Sequence, residues 1–383
     1  MQGHKPIEAG DQTPEYNVTH LSNGFTVLTE SKIFPGAVHM GKYPPAFEIY
    51  TRSRCFPVFL AGFMIDVGAR DETPETSGSL LALRNTYLKT LKHTNETINY
   101  GMIQMSGGEM EMNYDQEKTY FGGHCIEYDV IDLFQMMVDI ALEPRSVLAA
   151  NVARSKNRKS HDLAEHLLKY DPFARTTESL LRTAYGYNTL GMPLNGLESN
   201  IDNIDARVLQ KFLMDNVTPR KCLIVGAGVD NHQEFVELVK ERIGELLPVP
   251  EQFYERSKSE YIGGEYRTWT ETPNTNVAVA FEGVPWSHED APALWVVSQL
   301  LGNSAANGGI GLGGGRLSRL SQLQAKNAFI DKAYAINANF TDSGLFGLAV
   351  EGAGSQSKDL MGAVLDELSS LKMNISDEVG SVC

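Results

Sequence analysis

The same strand–turn–helix pattern occurs twice in this sequence, and that repetition restricts the fold more than any other feature. In the first copy, Val58-Phe-Leu-Ala-Gly-Phe-Met-Ile-Asp-Val-Gly68 is an apolar run of strand character. It runs into a turn rich in Asp71, Glu72, Pro74 and Glu75. A helix is predicted to start near Thr76 or Ser77 and to carry Leu80, Leu81, Leu83 and Leu88. In the second copy, Asn276-Val-Ala-Val-Ala-Phe-Glu-Gly-Val-Pro285 passes through Ser287, His288, Glu289 and Asp290 into a helix over 291–301. Self-similarity at this scale predicts duplicated α+β units.

The remaining pattern fills in the first unit. Tyr16–Leu21 and Phe25–Thr29 flank Ser22-Asn23-Gly24, a strong hairpin signal. Residues 1–15 read as an extended tail, and 32–54, with three prolines, as an inserted loop. Strands are predicted over 109–114 and 119–126, and helices over 129–142, 146–170 and 174–186. A short helix over 208–216, a strand from Cys222 and a helix over 233–246 complete the unit. Pro248 and Pro250 open a polar linker, 248–262. The expected layout is therefore a domain over 16–247, the linker, and a second domain over 263–383. The second stretch is about half as long as the first, so a partial copy is expected there.

Composition removes some function classes. The formal net charge of −15 disfavours nucleic acid as a partner, because phosphate binding needs clustered Lys and Arg. Such acidity attracts a basic partner, or serves solubility alone. No apolar run approaches the roughly 20 residues that span a bilayer. The four cysteines, Cys55, Cys125, Cys222 and Cys383, are scattered, which argues against a disulfide framework and a thiolate zinc site. Met1-Gln-Gly-His-Lys-Pro shows no targeting pattern, so a targeting segment is expected to be absent or already removed.

The densest motif is Asn307-Gly-Gly-Ile-Gly-Leu-Gly-Gly-Gly-Arg-Leu-Ser-Arg-Leu320, with six glycines in eight positions. So many glycines disfavour a packed helix or strand and suit a close approach to a ligand. A phosphate loop would need Gly-Lys-Ser/Thr, but Arg316-Leu317 follows here. A plain linker is the other reading, against which Leu317, Leu320 and Leu323 continue directly at helical spacing. His161-Asp-Leu-Ala-Glu-His166 resembles a metal motif, but its histidines are five residues apart. At about 100° per residue they lie about 140° apart around a helix and do not chelate one ion. Gly226-Ala-Gly228 reads as a tight strand-to-helix turn. Glu109, Glu111, Asp115 and Glu117 read as a solvated strand face or as a surface for a basic ligand.

Taken together, Leu21-Ser-Asn-Gly-Phe-Thr-Val, Ile65-Asp-Val-Gly-Ala-Arg-Asp-Glu, Ala184-Tyr-Gly-Tyr-Asn-Thr-Leu-Gly, Val225-Gly-Ala-Gly-Val-Asp, the glycine loop and Asp342-Ser-Gly-Leu-Phe-Gly-Leu resemble the pitrilysin-type (M16) zinc peptidase family over roughly 16–375. The resemblance is to its non-catalytic branch, which holds the alpha subunit of mitochondrial processing peptidase and core subunit 2 of the cytochrome bc1 complex. It implies an α+β chain of two homologous α/β-roll domains, the second partial at its C-terminus. Active members carry His-x-x-Glu-His on the helix after the Ile65–Arg70 strand and turn. Counted from Gly78, that register falls on Leu81, Arg84 and Asn85, with a distal carboxylate expected among 161–166, where Asp162 and Glu165 stand. The resemblance therefore implies no bound metal, no cofactor and no catalytic residue in this chain. It implies a zinc-bearing beta-type partner, presequence peptides as ligands, and a place in the mitochondrial matrix or on the matrix face of the inner membrane. Substrate contact falls to Gly308, Gly309, Gly311, Gly313, Gly314, Gly315, Arg316, Ser318 and Arg319, of which Gly314 and Gly315 are extra to the family pattern. The alternative it carries is a structural core subunit of respiratory complex III, beside cytochrome b, with no peptide handling.

Overall fold

The computed structural model describes residues 16–31, 58–87, 109–126, 134, 137–138, 157–164, 172–229, 231–243, 256–269, 273–305 and 318–371. They form a mixed α/β chain with two compact units. One unit is built from the described residues of 1–158 and 198–255, the other from those of 159–197 and 256–383.

The first unit holds a six-stranded sheet of β1 (Tyr16–His20), β2 (Thr26–Ser31), β3 (Val58–Ile65), β4 (Glu109–Tyr114), β5 (Thr119–Ile126) and β6 (Cys222–Val229). Its order is β1-β2-β6-β3-β5-β4. Only β2 and β6 run parallel; the other neighbours are antiparallel. The β1–β2 hairpin forms around Asn23-Gly24, with Val18 opposite Leu28. Its loop is closed by Leu21 N–H on the Phe25 carbonyl at 2.8 Å. Phe25, Phe63, Ile65 and Phe121 are fully buried and form the centre of this unit with Leu80 and Leu81 of α1 (Ser79–Thr86).

The second unit holds α2 (Pro172–Tyr185) and a four-stranded sheet of β7 (Asn274–Glu282), β8 (Asn303–Ala305), β9 (Ile330–Asn339) and β10 (Gly344–Ala353). Its order is β7-β10-β9-β8, all antiparallel. The first strand of each repeat pairs with the last strand of a following hairpin: β3 with β5 and β4, β7 with β10 and β9. A helix follows the first strand in both, α1 in one and α5 (Ala291–Leu301) in the other. This shared order is what the repeated sequence pattern anticipates.

Three features depart from the sequence reading. The 174–186 helix, read as part of the first domain, is α2, and it packs in the second unit. There Leu181, Ala184 and Tyr185 share a core with Leu345 of β10, and Tyr185 Oη donates to the Gly344 carbonyl at 3.0 Å. Chain adjacency carries no information about such a crossing. The Gly226-Ala-Gly228 segment is not a turn between strand and helix, because Gly226 lies inside β6. A Cβ there would stand 3.1 Å from the Phe235 ring on the following helix, so the glycine permits close helix–sheet packing. Gly228, at φ +80°, takes up the register shift between β2 and β6. The remaining helices of the first unit are α3 (Ala206–Asn216) and α4 (His232–Ile243).

The third departure is α7 (Ser357–Ser370), which follows α6 (Arg319–Lys326) and β10 and which the sequence reading passed over. Its signal was present: Leu360, Val364 and Leu368 recur every fourth residue, and all three join the core around Leu301, Leu320 and Leu348. The predicted insertion 32–54 and tail 1–15 lie outside the described residues.

Candidate functional site

The segment from Ile65 to Asn85 is locked in place residue by residue. Gly68 is needed because a Cβ would fall 2.3 Å from the Gln116 backbone in the β4–β5 turn. Ala69 and Arg70 donate their N–H groups to the carbonyls of Asp115 and Gln116 at 3.0 and 2.9 Å. The Arg70 side chain, 0% exposed, meets Glu117 Oε1 at 2.6 Å. Asp71 accepts from Gly68 N–H at 2.9 Å. Glu72 is fully buried and accepts from the N–H groups of Gly78 and Leu80, both at 2.8 Å, so it caps α1 from outside the helix. Burial pushes its pKa up to about 8, opposed by those backbone hydrogen bonds. Asn200 adds a second tie, donating to the carbonyls of Glu75 and Ser77.

This lock orients α1, the helix on which the resemblance places the metal ligands. Leu81 is fully buried and offers no donor atom. Arg84 stacks its guanidinium over the Tyr114 ring of β4, 5.3 Å from the centroid. Asn85 donates Nδ2 to Asn157 Oδ1 at 2.9 Å. Asn157 stands on a helical segment over 157–164 and is almost completely buried. The residue opposite Asn85 is thus Asn157, where the sequence count expected a carboxylate among 161–166. Asp162 is 58% exposed at its side chain, and Glu165 and His166 lie outside the described residues. Counting along the chain does not fix which face of a helix meets its neighbour, and the count missed by more than a turn. Neither Tyr114, Asn157, Glu72 nor Arg70 was singled out from sequence, and only the acidic turn hinted at Glu72.

The other sequence-derived features separate in space. Gly308, Gly309, Gly311, Gly313, Gly314, Gly315 and Arg316 lie outside the described residues. Ser318 N-caps α6, its Oγ accepting from Ser321 N–H at 3.3 Å. Arg319 Nε binds Glu367 Oε1 at 2.6 Å, and a terminal nitrogen reaches Ser370, so its charge is held by α7. The glycine stretch is therefore bounded by β8, which pairs with β9, and by α6, whose Leu320 is fully buried.

Of the four acidic residues at 109–117, two are structural. Asp115 accepts from the N–H groups of Glu117 and Lys118, both at 2.7 Å, and Glu117 pairs with Arg70. Glu111 is exposed on β4, an edge strand of the sheet among the described residues. His161 is buried, and among the described residues its Nδ1 stands 3.8 Å from a carboxylate oxygen of Asp162. Cys222 is free and buried, and burial pushes its thiol up to about 12, which suppresses nucleophilic character. Among the described residues no three His, Cys, Asp or Glu side chains gather to hold a metal.

Residues 203–379 match the sequence profile of the Peptidase M16 inactive domain. Nearly the whole chain is also similar to curated subunits of mitochondrial processing peptidase. It is 27% identical to the probable beta subunit of Arabidopsis thaliana, over 95% of this chain and 64% of that protein. It is 26% identical to the beta subunit of Neurospora crassa, over 97% of this chain and 75% of that one. It is 25% identical to the probable alpha-1 subunit of Arabidopsis thaliana, over 88% and 68%. The chain thus spans roughly two thirds of the length of these relatives. The resemblance to the M16 family read from the sequence holds. Identity to alpha and beta subunits is nearly equal, so the subunit type rests on the residues of α1.

Proposed function

We propose that this chain, an M16 relative, is the non-catalytic alpha-type subunit of a heterodimeric mitochondrial processing peptidase. In this reading it sits in the mitochondrion beside a beta-type subunit that carries zinc, and it receives presequence peptides through the Gly308–Gly315 loop. One observation carries the reading. The strand, turn and helix that would present a zinc site are built and capped, yet the positions for ligand, base and ligand hold Leu81, Arg84 and Asn85. Zinc takes His, Cys or carboxylate donors. A leucine offers none, an arginine stays protonated and binds no cation, and Asn85 is engaged with the amide of Asn157. The residues do not fit the metal, so hydrolysis falls to the partner.

What remains suits peptide handling. The net charge of −15 complements basic presequences, and the loop is anchored at both ends by β8 and α6. The matching strand order of the two sheets supports two homologous pitrilysin-type units, with 159–197, which the sequence reading counted in a first domain over 16–247, belonging to the second. A second reading, a core subunit of respiratory complex III, is favoured by Phe281, Trp286 and Trp295, which are 56%, 61% and 58% exposed in the second unit. Exposed aromatics of that size mark a surface for a stable assembly.

Affinity capture of the tagged chain in mild detergent tests the partner. A homologous chain with an intact His-x-x-Glu-His, in equal amount, is the expected result. Cytochrome b in the same particle adds the complex III role, and recovery of the chain with no such homologue overturns the subunit assignment.

A further inference from the structure

The two sheets differ at one place where their repeated order makes them comparable. In the first unit β3 is hydrogen-bonded on both sides, to β5 and, antiparallel, to β6. Its counterpart β7 pairs with β10 alone among the described residues, and so forms an edge of the second sheet. Which backbone groups that edge presents follows from the register. Gly283 N–H donates to the Gly344 carbonyl at 2.8 Å, and Gly354 N–H to the Pro273 carbonyl at 3.1 Å. Both pairs continue the β7–β10 register, one at each end. Hydrogen-bonded pairs alternate in an antiparallel ladder, so the odd-numbered residues of β7 bond to β10. Asn276, Ala278, Ala280 and Glu282 therefore turn their N–H and carbonyl groups to the open side, where no other described strand meets them. Asn276 and Glu282 are exposed, and Ala278 and Ala280 are half-buried, so this side is within reach of solvent.

Exposed edges are usually blunted by a lysine, a proline, a bulge or a short strand. β7 has nine residues, no Lys or Pro, and an unbroken register with β10. Such an edge is a template for a further strand. The surrounding charge selects which strand. Over 274–302 stand Glu282, Glu289 and Asp290, all exposed, and no Lys or Arg. A second copy would bring its own net charge of −15 and be repelled, whereas a basic segment brings the complement. Strand addition draws its affinity from backbone hydrogen bonds, so it accepts basic segments of varied sequence.

We propose that the outer edge of β7 binds a basic peptide in extended form, as a strand added antiparallel in the place that β6 takes beside β3. This deepens the peptide-receiving role proposed above and is independent of the glycine loop.

Amide hydrogen exchange at single-residue resolution tests it, on the full chain with and without a synthetic peptide rich in Arg and Leu and free of acidic residues. The peptide slows exchange at Asn276, Ala278, Ala280 and Glu282 by about tenfold or more, and slows it less at Val277, Val279 and Phe281, which are already bonded to β10. Ala278→Pro removes one outward donor and keeps the ladder to β10, since proline is tolerated where its missing N–H would face solvent. It weakens peptide binding about tenfold with the glycine loop intact. Should that variant fail to fold, the exchange pattern of the unaltered chain decides alone. Peptide that binds without slowing the even-numbered amides overturns the edge site and leaves the peptide-receiving role standing. Protection of those amides that follows protein concentration and not peptide gives the edge to a second copy, and also overturns the proposal. Failure of the peptide to bind at all overturns both.

Discussion

Replacing Arg70 by methionine lowers the stability of the first unit by about 3–5 kcal/mol. The Arg70 side chain is 0% exposed and its partner Glu117 8% exposed, with 2.6 Å between them. Two buried charges gain little over a well-packed apolar pair, but removing one partner strands the other in a low dielectric. Here the group that loses its guanidinium would be Glu117, in the β4–β5 turn that also holds the backbone of Ala69 and Arg70. The damage therefore reaches the start of α1 through Gly68 and Glu72. Urea unfolding of both variants measures it: Arg70→Met shifts the transition to much lower urea, and the double variant Arg70→Met, Glu117→Leu recovers most of the loss. A loss below about 1 kcal/mol in the single variant would mean that the pair is screened like a surface ion pair.

Glu72→Gln changes how stability depends on pH. Burial raises the folded pKa of Glu72 to about 8, above that of an exposed glutamate. A carboxyl raised on folding binds a proton more tightly in the native state, so its contribution is complete at acid pH below the unfolded value. That contribution is lost as pH climbs through about 8. Between those limits the native chain holds the extra proton and stability falls with rising pH, by roughly 3–5 kcal/mol over the window. Glutamine does not titrate, and its amide nitrogen faces one of the N–H donors of Gly78 and Leu80 that the carboxyl satisfies. The variant is therefore less stable than the parent at pH 5, and the gap narrows steadily towards pH 8.5. A gap that stays constant or widens shows that Glu72 is already ionised at pH 5, with the helix N-terminus outweighing burial.

The elements that were legible in the sequence were those whose signal is local. Val58–Ile65 announced itself as a continuous apolar run, and the acidic turn after it placed the start of α1 to within a few residues. The hairpin around Asn23-Gly24 and the matched helix at Ala291–Leu301 were legible for the same reason. Non-local facts were not. Nothing near α2 in the chain says that Tyr185 bonds to Gly344, some 159 residues away. Gly226 looked like a turn residue because its reason, the Phe235 ring, sits on the next helix.

The candidate site divides along the same line. That Leu81, Arg84 and Asn85 fall on one helix could be read by counting along it. The partner of Asn85 could not, since the count pointed to Asp162 and the rotation of a separate helix brings in Asn157 instead. Arg319, read as a substrate contact, has its charge committed to Glu367. Of the nine loop-side residues that the sequence nominated, Ser318 and Arg319 thus serve to fasten α6. Under the proposed function, recognition is left to the glycines and Arg316.

Under the proposed function, this chain feeds peptides to a zinc centre held by another subunit. The most direct measurement of that role is the initial rate at which the purified pair of this chain and its zinc-bearing partner cleaves a presequence-bearing precursor, with Gly311–Gly315 intact or deleted. Cleavage is expected to require both chains, and the deletion is expected to abolish it while the pair stays assembled. Cleavage by the pair at an unchanged rate without the loop would contradict it.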